Sequence, residues 1–195
     1  MSELKNKIVM LGDTGVGKTS LVKRWVSNAY RPDQQPTIGA AYSQNIVTID
    51  NVKYKIQVWD TAGEEKYRSM APIYCQGAFG AMIVFDFTSK ESFENIGNWV
   101  TCLDANGNIP IVVCGNKMDL LADNENKLMD SCQKVNEMGY TFFATSASTG
   151  DNVEEAFMEL IKQAIEHRKT ESETETKPVT QDLTQTTEQK PGCNC

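Results

Sequence analysis

The chain has 195 residues, is 40% hydrophobic and carries a formal net charge of −7, which fits one core-forming domain with a tail. The negative charge disfavours broad binding to nucleic acid, and no apolar run approaches the length of a membrane span. Residues 1–7 are polar and charged, unlike a signal peptide, so the chain is expected to begin in the cytosol.

Residues 8–11, Ile-Val-Met-Leu, form an apolar run of strand length. Gly12 to Thr19 then reads Gly-Asp-Thr-Gly-Val-Gly-Lys-Thr, fitting Gly-x-x-x-x-Gly-Lys-Thr, the phosphate-binding loop. Helical spacing of Leu21 with Trp25 and of Val22 with Val26 predicts a helix over 20–26. Residues 27–39 are polar, contain Pro32 and Pro36, and read as a loop. Runs 41–49 and 52–59 are strand-like, joined at Asp50-Asn51, a hairpin turn. A charged, Gly-containing segment spans 61–72. A buried strand follows over 78–87, a helix over 91–103 and a strand over 109–115. The helix expected over 127–138 stops at Gly139. A short strand is expected over 140–144, then an amphipathic helix over 151–167 with Val153, Ala156, Phe157, Leu160, Ile161, Ala164 and Ile165 on one stripe.

This alternation predicts an α/β domain over residues 1–168. Its sheet would be six-stranded and mostly parallel, with one antiparallel edge strand and helices on both faces. Residues 169–195 are rich in Thr, Glu, Gln and Lys and are expected to be a disordered tail. Cys75, Cys102, Cys114 and Cys132 show neither zinc spacing nor a redox pair and are expected to be reduced and mostly buried. The single histidine, His167, is expected on the solvated surface, and its position and solitude argue against Ser-His or Cys-His catalysis.

Each motif follows a predicted strand, and ligands of such folds bind at the carboxyl ends of the strands. Glycines let the backbone approach an anion, with N–H groups and the positive end of the next helix facing it. Phosphates are therefore expected against Thr14, Gly15, Val16, Gly17, Lys18, Thr19 and Ser20. Lys18 would reach the β- and γ-phosphates and the Thr19 hydroxyl a Mg²⁺ ion. Asp60-Thr61-Ala62-Gly63-Glu64 offers a carboxylate for Mg²⁺ through a water and the Gly63 N–H for a γ-phosphate, although such an Asp can equally cap the next turn. Asn116-Lys117-Met118-Asp119 reads as a turn by itself. Behind a phosphate loop it points to guanine, whose two adjacent N–H donors suit the acceptor-only carboxylate of Asp119. Asn116 would bind the base edge and the Lys117 stem would lie over the ring. Ser146, Ala147 and Ser148 would supply a backbone N–H to the guanine oxygen.

Together these motifs resemble the Rab family of small GTPases in the Ras superfamily, from residue 1 to about 169 and again at the terminal cysteines. The stretches Thr37-Ile38-Gly39-Ala40-Ala41-Tyr42 and Met70-Ala71-Pro72-Ile73-Tyr74 are most similar to the early-endosomal branch. The resemblance implies a P-loop NTPase G domain that binds GTP or GDP with Mg²⁺. It places Thr37 of switch I on the metal and γ-phosphate, Tyr30 against the base, and switch II from Asp60 to about Tyr74. Catalysis would rest on Lys18, Gly63 and Glu64. Ile38, Tyr42, Trp59 and Tyr74 match an effector-docking face. The ending Cys193-Asn194-Cys195 resembles the Rab double-cysteine ending, implying two prenyl groups, although a free-thiol end or a metal pair has the same spelling. Implied partners are effectors, an exchange factor, a GTPase-activating protein, a GDP-dissociation inhibitor and a Rab escort protein. The implied protein is a monomer that cycles onto the cytoplasmic face of endosomal or other vesicle membranes. Three departures stand out: Glu64 replaces the usual Gln, Ser148 the usual Lys, and Cys75-Gln76 the usual Tyr-Arg. A nucleotide kinase or ATPase, and a GTP-held binding protein with little turnover owing to Glu64, are the rival readings.

Overall fold

A computed structural model of the chain describes residues 6–64, 70–121 and 125–175. Six strands form one sheet in the order β2-β3-β1-β4-β5-β6. They are β1 Asn6–Leu11, β2 Ala40–Ile49, β3 Val52–Thr61, β4 Gly80–Asp86, β5 Ile111–Asn116 and β6 Thr141–Ala144. All neighbours are parallel except the β2–β3 hairpin. Asp50 and Asn51 have φ of 50° and 63°, the left-handed pair that a two-residue hairpin needs.

Side chains alternate across the sheet, as the two-residue period of a strand dictates. Ile8, Met10, Met82, Val84, Val112 and Cys114 pack on one face with the helices α1 (Lys18–Ser27) and α6 (Val153–Glu175). Trp25 of α1 stacks on Phe157 of α6 with ring centroids 4.3 Å apart. Val9, Leu11, Ala81, Ile83, Phe85 and Val113 pack on the other face. There they meet α2 (Ala71–Cys75), α3 (Lys90–Glu94), α4 (Ile96–Val100) and α5 (Glu125–Glu137). Cys75, Cys102 and Cys114 are buried and all three, with Cys132, are unbridged. Among the described residues no helix is long and apolar enough to cross a membrane.

Several boundaries differ from those expected. β3 continues through Asp60 and Thr61, because Asp60 pairs with both Met10 and Ala41 and the Thr61 hydroxyl donates to the Met10 carbonyl at 2.7 Å. α2 forms in a stretch read as irregular, with Pro72 in its first turn, where the missing N–H costs nothing. The single helix expected over 91–103 is interrupted at Asn95 and ends in a 3-10 turn, Thr101–Asn106. α6 runs on to Glu175, so the boundary expected at residue 168 falls inside a helix. Extending a formed helix needs one residue at a time and no new nucleus, so even the polar start of the tail propagates it. His167 is only partly exposed, its Nδ1 3.6 Å from Glu171 one turn on. Residues 176–195, including Cys193 and Cys195, lie outside the described residues.

Candidate nucleotide-binding site

β1 brings the chain to Gly12 at the carboxyl edge of the sheet. Gly17, with φ of 100°, is the N-cap of α1, in a conformation that glycine tolerates and other residues resist. Among the described residues no side chain caps α1, and no acidic residue occupies its first turn. Its N–H groups and positive end are therefore available to an anion. The buried Lys18 ammonium donates to the carbonyls of Gly12 and Asp13, both at 2.7 Å. Burial lowers its pKa from 10.5 to about 8, against the opposing pull of Asp60 and Asp13.

Three oxygens from three segments meet beside this loop. Thr19 Oγ1 donates to Asp60 Oδ2 at 2.6 Å and lies 2.7 Å from Thr37 Oγ1. Asp60 is 2% exposed, and its Oδ1 has no hydrogen-bond partner among the described residues. Burial raises its pKa, opposed by the Thr19 hydrogen bond and the Lys18 charge. An unpaired carboxylate oxygen in such a place is costly. A small hard cation that takes oxygen ligands fits this donor set and would remove that cost.

At the other end, Asp119 Oδ1 accepts from Ser146 Oγ at 2.5 Å, which leaves the carboxylate further lone pairs for a ligand. Lys117 Nζ is held 2.6 Å from Asp86 Oδ2, while Asp86 Oδ1 accepts from the backbone N–H and hydroxyl of Thr88. The ammonium is thus pinned and the aliphatic stem left as a shelf. Asn116, expected at the base edge, lines the cavity and also bridges two loops. Its Nδ2 donates to the Val16 carbonyl at 2.8 Å, and its Oδ1 accepts from the Ala147 N–H at 3.1 Å. A buried amide must satisfy both ends, and here it does so by tying the phosphate loop to the loop after β6.

One cavity of about 570 Å³ joins the two ends. Thr14, Gly15, Gly17, Lys18, Thr19, Ser20, Tyr30, Thr37, Gly63, Asn116, Lys117, Asp119, Ala147 and Ser148 all line it. Val16 and Ser146, both buried, stand behind that lining. Asp60 is reached through Thr19 and Thr37, and Glu64 is not among the lining residues. Arg31, Gln34, Gln35 and Leu120 also line the cavity; they come from a polar loop and a turn and carry no motif that marks them in the sequence. Asp86, which orients Lys117, was detectable only as a carboxylate ending a buried strand.

Away from the cavity, Trp59 lies between Tyr42 and Tyr74, with ring centroids 6.2 and 6.4 Å away. Ile38 is 82% exposed beside them in sequence, and Tyr42 is exposed as well. Lys7 Nζ sits 4.8 Å from the Trp59 ring and donates to the Gln76 carbonyl at 2.9 Å. Burial, with Cys102 nearby, pushes the Cys75 thiol up to about 12, so this departure from the usual Tyr is an inert packing residue.

The model of the Ras family matches residues 7–166, a span that contains every part of this cavity. The chain belongs to the Ras family. It is 38% identical to Ras-related protein Rab-4A of Danio rerio over 161 residues, 82% of this chain and 76% of that protein. With Ras-related protein RABF2b of Arabidopsis thaliana it shares 42% over 170 residues, 86% and 85% of the two chains. With Ras-related protein Rab-5A of Dictyostelium discoideum it shares 42% over 159 residues, 80% and 79%. Within the Ras family it is therefore a Rab-type small GTPase, an enzyme that binds GTP and hydrolyses it to GDP and phosphate.

Proposed function

We propose that this small GTPase works as a membrane-anchored, Mg²⁺-dependent GTP/GDP switch in endosomal traffic. The observation that carries this reading is the single cavity with a phosphate cradle at one end and Asp119 at the other. Thr19, Thr37 and, through a water, Asp60 hold Mg²⁺. When bound, the ion neutralises charge on the β- and γ-phosphates. Lys18 leaves the carbonyls of Gly12 and Asp13 for phosphate oxygens and stays buried while doing so. The Gly63 N–H donates to the γ-phosphate, and Thr37 follows it, so that loss of that phosphate releases both segments.

Glu64 stands where the family's usual Gln can donate and accept at once, whereas a carboxylate only accepts. It orients the attacking water without stabilising the phosphate, which gives slow intrinsic hydrolysis that an activating protein speeds. The face of Ile38, Tyr42, Trp59 and Tyr74 receives effectors when the switch is ordered. Cys193 and Cys195 both carry prenyl groups, because one chain anchors marginally and the acidic tail offers no polybasic second signal. An escort protein and a GDP-dissociation inhibitor handle those lipids, and intact mass of cell-derived protein checks them.

The deciding experiment is single-turnover GTP hydrolysis by the parent and Glu64→Gln, with and without an activating protein, alongside competition of GTP and ATP for the parent. Preference for GTP, slow turnover and acceleration by the activator are expected. A parent with no measurable turnover in any condition, rescued by Gln, would replace this reading with the GTP-held binding protein.

A further inference from the structure

The loop after β6 must present an N–H to the base, yet most of its N–H groups are already used. Ser146 N–H donates to the Asp151 carbonyl at 3.1 Å and Ala147 N–H to Asn116 Oδ1 at 3.1 Å. Thr149 N–H donates to Ser146 Oγ at 3.1 Å. The Ser148 N–H alone in this stretch has no partner among the described residues, and Ser148 lines the cavity. What fixes its direction lies 124 residues earlier in the chain. Arg24, on α1, donates from Nε to the Ala147 carbonyl at 2.9 Å and from Nη2 to the Ser148 carbonyl at 2.7 Å. Nη1 is held in turn by the carbonyl and side chain of Asn28, at 3.2 and 2.9 Å.

In a trans peptide the carbonyl of one residue and the N–H of the next point in opposite directions. Holding the Ala147 carbonyl therefore turns the Ser148 N–H away from the guanidinium. Holding the Ser148 carbonyl likewise sets the Thr149 N–H, which donates to Ser146 Oγ, and that hydroxyl donates to Asp119 Oδ1. The guanidinium grips these two successive carbonyls from two nitrogens of one rigid plane, so both peptide groups are oriented together.

We infer that Arg24 is a positioning residue for base selectivity, which aims the Ser148 N–H at the exocyclic oxygen of guanine and steadies Asp119 for its amine. This rests on the guanine reading above. Because α1 also begins at the phosphate loop, one rigid helix sets both ends of the site. Ser148 then needs no long side chain to do its part.

The test compares the parent, Arg24→Met and Arg24→Lys, with folding checked by circular dichroism. Each is titrated in competition with a fluorescent GDP using GDP, ADP, IDP (no amine) and 2-aminopurine riboside diphosphate (no oxygen, and no N1–H). In Arg24→Met, preference for GDP over the 2-aminopurine nucleotide falls about tenfold, the loss of one hydrogen bond, and preference over IDP falls less. Arg24→Lys, which keeps the charge but lacks the rigid planar fork, lies between and makes the same comparison should the Met variant not fold. A merely structural role would weaken all nucleotides alike and leave those ratios unchanged, which would overturn the inference. A parent that binds ADP as tightly as GDP would overturn the guanine reading and this inference with it.

Discussion

Replacing Gly63 by alanine separates the two nucleotides through sterics alone. A Cβ built at Gly63 would lie far inside van der Waals contact with the backbone carbon and oxygen of Asp13 and the nitrogen of Thr14. All three are main-chain atoms of the phosphate loop, so no side chain can turn aside. Restoring an ordinary carbon–carbon separation of about 3.5 Å moves residue 63 back by about 1 Å. A hydrogen bond of about 2.9 Å from its N–H to a γ-phosphate would then exceed the length at which such bonds hold. A bond to a charged acceptor contributes about 1.5–3 kcal/mol, so GTP affinity falls roughly 10- to 150-fold. GDP carries no γ-phosphate, and its affinity stays within about threefold of the parent. The assay is the dissociation constant of GDP and of a non-hydrolysable GTP analogue for parent and Gly63→Ala, with Mg²⁺ saturating. Equal weakening of both nucleotides, or none, would refute contact between Gly63 and the γ-phosphate.

Asp119→Asn offers a donor where guanine also donates; GTP binding should fall by roughly 10- to 150-fold and xanthosine triphosphate binding should rise, both read by competition. Thr19→Ala removes one oxygen from the Asp60–Thr37 cluster and should weaken nucleotide binding at least about tenfold in Mg²⁺. In chelator the mutant and parent should converge, and a gap independent of Mg²⁺ would remove Thr19 from the metal's ligands. Lys18 has a folded pKa of about 8 against 10.5 unfolded. Between those values the unfolded chain binds the proton that the folded chain gives up, so stability of the nucleotide-free protein rises with pH across that window. A bound phosphate restores the proton, so GDP binding near about pH 9 should take up close to one proton. Calorimetry in buffers of differing ionisation enthalpy measures this, and no uptake anywhere in the window would contradict the placement of Lys18.

Much of this molecule is set by short-range chemistry that the sequence spells out. Apolar runs of strand length, the positive-φ pair Asp50-Asn51 and the Gly12–Thr19 loop each report a local preference. Each sits within a few residues of the backbone it shapes. Their order along the chain was enough to predict a mostly parallel sheet with the motifs at one edge. The amphipathic stripe from Val153 to Ile165 likewise identified the helix that covers one face. Packing and long-range hydrogen bonds decided the rest. Asn116 belongs to Val16 and Ala147, each far from it in sequence, because a buried amide takes whichever partners the fold brings near. The break at Asn95 coincides with its Nδ2 donating to Asp13 Oδ2 at 2.8 Å, a contact across 82 residues that no local propensity encodes. Thr37 and Thr19 share a site with Asp60 only because β3 lies beside β1 in the sheet. Arg24 reads in the sequence as one more charge on a helix. Its guanidinium becomes part of the site only when α1 and the loop after β6 are folded against each other, since two carbonyls must converge before a planar fork can hold them.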